Sequence, residues 1–487
     1  MKKTILTLVC MFFVTSIFAK TWIVRTTAGP GVDFTSIKSA IDDPSVVDGD
    51  ILDVMGDFAT EQITLSKEIT IKGNGRVNTI IRSAGTNRIF VSYNNLKKFT
   101  IQDLTIQGGA QSTEPGAGFF VYLAPECTFD NVLFKDINTT SNGGAILIQN
   151  TLKFTIKNCE FVNNKARVGG SIFFTNIGGV GLIENSTFER NGASNSGWGD
   201  AIILDNGSAV GDELKIQNCT FFKNGIDNVG GFGGAIAINY GNIKLSIVNN
   251  TFASNKENDN VGTLFLIPNS GWPNQLNYIG NLFYESRGII IPDGYPKPAK
   301  VAYNLSTNSI NVQEGIAHID YDPTTNIGSC VAGTDLKVEL NAGVPLLKDN
   351  GGKVRTIKLL GTTYEDNLAI EFIAEPIGTT YDARGAVRKT AGFQDCGAYE
   401  VGASLGNKQF KTTKLTVGFN SSTSSLIFSE KISGHIQIYD LTGRSLINIP
   451  AFNANTLNVS ELSNGIYLLR VKDNNGAINS AKIIVQK

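Results

Sequence analysis

The sequence predicts an all-β chain: a right-handed parallel β-helix with a short helical cap at its N-terminus, followed by a small C-terminal β-sandwich. Three observations carry this. Of 487 residues 52 are glycine, and strand-forming residues interleaved with Asn and Gly outweigh the Ala and Leu of helical chains. A degenerate motif recurs as FDNVLFKDI, IKNCEFVNN, IENSTFERN, IQNCTFFKN, IVNNTFASN and YIGNLFYES. Its phenylalanines, Phe134, Phe161, Phe188, Phe221, Phe252 and Phe283, are spaced 27, 27, 33, 31 and 31 residues apart, with no helical periodicity between them. Strands repeating at that interval without crossover helices cannot form a doubly wound sheet. They can stack as coils, each pairing with the next at about 4.8 Å, and parallel crossovers wind right-handed.

Residues 1–19 read as a secretion signal. Lys2 and Lys3 are the positive region, Ile5 to Phe18 the apolar core, and Ala19 the small residue before a cut at Lys20. No later stretch approaches the ~20 apolar residues of a transmembrane helix. Phe34, Ile37, Ala40 and Ile41 have the spacing of a short amphipathic helix, placed to cover the open edge of the stack. GDILDV and ITLSKEITIKGNG supply the first coils, and the β-helix is expected over residues 20–300.

Alignment of the repeats gives columns. Asn131, Asn158, Asn185, Asn218 and Asn249 form one, and Asn164, Asn191, Asn224 and Asn255 another. Both are expected to point inward and to satisfy the turn amides. The Phe column and Ile146, Ile172, Ile202 and Ile236 should form the dry core. The paired glycines, as in GGAILI, GGSIFF and GGAIAI, are corners; a phosphate-cradling loop would open a helix, and none follows.

Net charge is -1 and no basic block occurs, which excludes nucleic acid as a partner. With two histidines and no C-x-x-C pair, zinc is excluded as well. Cys159 and Cys219 share a column two coils apart, roughly 9–10 Å, too far for a bridge. Cys330 and Cys396 remain as the possible disulfide.

Several surface residues are candidates for binding. Asn163, Arg190, Lys223 and Ser254 align, so two cations occupy neighbouring coils; an anionic sugar could bridge them, or Glu189 could neutralise them. Trp198 and Trp272 could stack on sugar rings or fold back over outward-facing Leu147, Phe173 and Ile203. The outward column Gln149, Thr175, Asp205, Asn239 carries one acid, and Asp200, Asp212 and Glu213 are the acids that could converge on Ca²⁺. His318 lies beyond the repeats and His435 in the last unit, away from any such site.

The segment TWIVRTTAGPGVDFTSIKSAI and the coils after it resemble pectin-lyase-like β-helix proteins. That resemblance implies fold more than function. Its enzymes cut acidic polysaccharides, the lyases with a base and carboxylate-held Ca²⁺, the hydrolases with paired carboxylates. NAGVPLLKDNGGKVRTIKLL, YDARGAVRKT and QDCGAYE, within residues 301–401, resemble in order the closing signature of choice-of-anchor Q surface proteins. Cys396 stands where that family carries an apolar residue, which favours its pairing. After a polar linker at 402–412, residues 413–487 resemble the C-terminal sorting domain of the type IX secretion system. The matching residues are Tyr439, Asp440, Gly443 and Arg444, then Leu462, Gly465, Tyr467 and Arg470, then the strand from Lys482. This implies the type IX machinery as partner and export across the outer membrane of a Gram-negative bacterium. The expected function is a secreted or cell-surface protein, non-catalytic and glycan-binding or adhesive, without a cofactor. The alternative is a divergent polysaccharide lyase or glycoside hydrolase, for which Ca²⁺ would be needed.

Overall fold

The computed structural model describes residues 19–93, 96–109, 111–194, 197–206, 212–226, 234–256, 263–266, 273–290, 299–308, 310, 319–321, 325–374, 379–389, 392–403, 417–440, 444–473 and 478–487. Residues 1–18, read above as most of a secretion signal, Trp272, His318, Gly443 and residues 404–412 lie outside them. Two compact units result, residues 1–405 and 406–487.

The first unit is a parallel β-helix built from a 19-stranded and a nine-stranded sheet. One coil shows how the sequence dictates the path. Ile146–Gln149 lies in the second sheet; Lys153–Lys157 and Glu160–Val162 are two legs of the first. Asn150, Asn158 and Asn163 turn the chain with φ of 51, 55 and 54°, the left-handed corner that Asn tolerates better than branched residues. The stack continues past residue 300, since Ile319–Tyr321 pairs with Ala299–Ala302. At the other end Ile37–Asp42 forms the capping helix. Ser36 caps it by accepting the Ser39 amide, and Ile37, Ala40 and Ile41 are buried.

The core is a column of rings. Phe134, Phe161, Phe188, Phe221, Phe252 and Phe283 are in register and stack at centroid separations of 4.9, 4.7, 4.7, 4.8 and 4.9 Å. Ile146, Ile172, Ile202 and Ile236 form the facing column. Asn164, Asn191, Asn224 and Asn255 do point inward. Each Oδ1 of the last three accepts the backbone N–H and the side-chain or corner amide of the coil before, as when Asn164 N donates to Asn191 Oδ1 at 3.0 Å. The column from Asn131 to Asn249 differs from expectation. Those five residues occupy the left-handed corner itself, with φ between 49 and 57°. The inward position is the next residue, giving the column Cys159, Ser186, Cys219, Asn250, Asn281 and Asn304. Cys159 N donates to Ser186 Oγ at 3.1 Å and Cys219 N to Asn250 Oδ1 at 2.8 Å.

All five described cysteines are buried free thiols. Burial pushes Cys159 up to about 12, so these sulfurs stay protonated. Cys330 and Cys396 share one apolar cluster but are not bridged. Cys396 Sγ turns to the Tyr303 carbonyl and Cys330 Sγ to that of Ile327, which leaves the expected disulfide unformed.

After the last coil the chain runs back along the first sheet as a strap. Its outer leg there is the buried row Glu160, Thr187, Thr220 and Thr251. Arg355 donates to Glu160 and pairs with Glu189, both at 2.8 Å, while its carbonyl accepts from Thr187. Further on, Asn218 donates to the Tyr381 carbonyl and accepts from Arg388 at 3.1 Å, and Ala398 N donates to Thr251.

The second unit is one antiparallel five-stranded sheet, Val417–Asn420, Ser425–Tyr439, Ser445–Asn458, Gly465–Asp473 and Ile478–Val485. The two long strands break register between Ile427 and Gly434, so the expected sandwich arises from one bent sheet. Leu426, Ile436, Ile438, Leu469 and Ile483 are buried within it.

Candidate functional site

The outer face of the second sheet carries two side-by-side columns, set by the period of two along each strand. Val91, Phe120, Leu147, Phe173, Ile203 and Ala237 form the apolar one. It is partly roofed: Trp198 packs on it half-buried, and the Arg88 guanidinium lies 4.7 Å from the Phe120 ring, held by Glu114 and the Pro115 carbonyl. Two residues along each strand lies the second column, Tyr93, Tyr122, Gln149, Thr175 and Asp205. Tyr93 is 59 % exposed and stacks on Tyr122 at 5.0 Å and 28°. Sequence alignment captured only the polar half of this row. A bulge after Leu204 places Tyr240 opposite Asp205, and Asn239 instead donates to the Asp205 carboxylate at 3.1 Å.

This row therefore offers an aromatic shelf, then an amide, a hydroxyl, a carboxylate and a second amide, one per coil. Aromatic faces take the C–H faces of sugar rings, and amides and carboxylates bond their hydroxyls. The rung spacing of about 4.8 Å is close to the length of one sugar unit.

Other candidates resolve differently. Trp198 takes the covering role. Asp200 is buried at its corner, where it accepts the Ala193 amide. Asp212 is buried, and Glu213 opens the strand Glu213–Gln217 and pairs with Lys244 at 3.2 Å. These three acids are not brought together: no cluster of three metal-ligating side chains occurs among the described residues. Arg190 and Lys223 do stack, both at left-handed corners. Glu189 does not serve them, because Arg355 holds it. At the ends of their column Asp136 accepts from Asn163 and Glu285 from Ser254, so acids flank the two cations.

Sequence reasoning missed what the closing motifs do. Arg384 pairs with Asp382 at 2.7 Å and Arg388 with Glu400 at 2.8 Å, and all four side chains are almost fully buried. Asp395 accepts the amides of Glu371 and Val401. Its burial, and then the neighbouring Glu400, push its carboxyl up to about 6. YDARGAVRKT and QDCGAYE thus form a polar knot that fastens the strap. Beside it Tyr303, Tyr364, Phe372, Phe393, Thr325 and Glu371 line a pocket of about 360 Å³.

Two family models match this chain. Residues 68–288 match the right handed beta helix region family, and residues 411–486 the secretion system C-terminal sorting domain. A metabotropic glutamate receptor-like protein R from Dictyostelium discoideum is 34% identical over 111 residues, 22% of this chain and 6% of that protein. A cell surface glycoprotein from Methanothermus fervidus is 34% identical over 98 residues, 20% of this chain and 15% of that protein. The chain thus spans only a small part of either relative. The solved pectate lyase Pel9A aligns over 79% of this chain and 97% of its own, with 13% identity and a TM-score of 0.46. No helix among the described residues is long and apolar enough to cross a membrane. The chain is a right-handed parallel β-helix protein with a C-terminal type IX secretion sorting domain, which marks it for export to the cell surface or beyond.

Proposed function

We propose that this is a non-catalytic glycan-binding protein of the cell surface, whose β-helix presents the row from Tyr93 to Asp205 to a polysaccharide. The observation that carries the reading is the exposed Tyr93–Tyr122 stack, continued in register by polar side chains. A polymer lying along the solenoid would meet one side chain per coil. One relative is a cell surface glycoprotein, which supports the location. The knot supports a closing segment of the choice-of-anchor Q kind over residues 301–401.

The test is affinity electrophoresis of the purified protein against neutral and acidic polysaccharides, with parallel assays for unsaturated products and reducing ends. Tyr93→Ala and Tyr122→Ala should each weaken retention by about tenfold, the value of one lost stacking contact. Retention unchanged in both variants would dismiss this face, and release of products would move the protein to the enzymes.

A further inference from the structure

The first strand, Thr21–Arg25, begins one residue after a buried carboxylate contact. Asp50 is 1 % exposed. Its Oδ2 accepts the Trp22 indole N–H at 2.8 Å and the Val47 amide at 3.0 Å, and its Oδ1 accepts the backbone N–H of Lys20 at 2.8 Å. Among the described residues no lysine or arginine side chain forms an ion pair with it; the Lys20 ammonium lies over the Trp22 ring instead. Burial opposes its charge, but the Val47, Trp22 and Lys20 donors and the nearby Lys20 ammonium outweigh it and hold the carboxyl below its ordinary range, although no cation touches it directly. Lys20 itself is fixed from the other side, because Ile51 N donates to its carbonyl at 2.8 Å. Ala19 and Lys20 are exposed, so the bond between them is open to a peptidase.

We propose that Asp50 is built to receive the α-ammonium that the expected cut between Ala19 and Lys20 creates. In the hydrolysis, water adds to the Ala19 carbonyl carbon and the C–N bond breaks. The released peptide keeps the carboxylate, and the Lys20 nitrogen leaves with the protons that make it an α-ammonium near neutral pH. No redox partner is needed. The nitrogen already in contact with Asp50 Oδ1 then becomes a cation bonded directly to the carboxylate. A neutral hydrogen bond becomes a charge-assisted one, about twice as strong, at the seam where the first coil joins the second. Cutting one residue later would remove the nitrogen that faces Asp50; cutting earlier would leave it an amide.

Two measurements test this. Intact-mass analysis of the protein isolated from its native host should give Lys20 as the first residue; any other start overturns the processing site. Chains beginning at Lys20 and ending at Lys487 are then prepared with a free or an acetylated α-amine. Hydrogen exchange of the first-strand amides should be about tenfold slower with the free amine, the effect of one charge-assisted bond on local opening. In Asp50→Asn the two forms should exchange alike. Equal exchange in the unsubstituted pair overturns the capture by Asp50, whether or not the variant folds.

Discussion

Phe188 shows what a single residue contributes here. Its ring is fully buried between Phe161 and Phe221, nearly parallel to both at 1 and 4°. Neighbouring coils hold their own rings in register and have little room to collapse into a void. Phe188→Ala should therefore cost about 3–5 kcal/mol, read from denaturant unfolding of the first unit. A loss under ~1 kcal/mol would mean that the stack repacks. The Phe column was legible in the sequence because its period is rigid: one ring per coil, always in the same place. The Asn column from Asn164 to Asn255 was legible as it stands, the one from Asn131 to Asn249 only to within a residue. IVNNTF places a left-handed corner at Asn249 and an inward amide at Asn250, and the two roles favour the same residue type. The row used for the proposed function was half legible. Gln149, Thr175 and Asp205 follow the clear repeats, whereas Tyr93 and Tyr122 lie in earlier coils where the repeat is weak.

At the scale of an element, the strap left no trace that a repeat search could follow. Arg355 meets Glu160 across 195 positions, and Arg388 meets Asn218 across 170. Such contacts have no period, and ion pairs obey no spacing rule in sequence. Resemblance flagged the motifs without giving their role; the structure shows them as the knot's own members. The knot predicts a pH response. Asp395 titrates at about 6 when folded, against 3.8 ordinarily. The folded state thus holds its proton more tightly, so stability gained from this group on acidification from pH 7 toward 5 is lost again as pH rises through about 6. Limited proteolysis of residues 345–401 should slow at pH 5 relative to pH 7.5, for a protease active at both. Faster cleavage at pH 5 would contradict the burial assigned to Asp395.

For the whole molecule, the two units predict separable behaviour. The sorting domain has its own buried core around Ile436, Ile438 and Leu469, and its signature residues are spread over several strands, so it should be recognised folded. A chain ending at residue 405 should keep the β-helix intact by circular dichroism, since no part of that unit's core is removed. In the native host it should stall in the periplasm, as fractionation and immunoblotting would show. Surface delivery in normal amounts would separate the domain from export. The strap has a mechanical meaning too. A solenoid held only by neighbouring coils gives way under tension by peeling from an end, one coil at a time. Here residues 353–398 tie coils from Asp130 to Gly280 in parallel with the chain. A pull along the solenoid would load the ties first, and the coils beneath them would hold together until the ties broke.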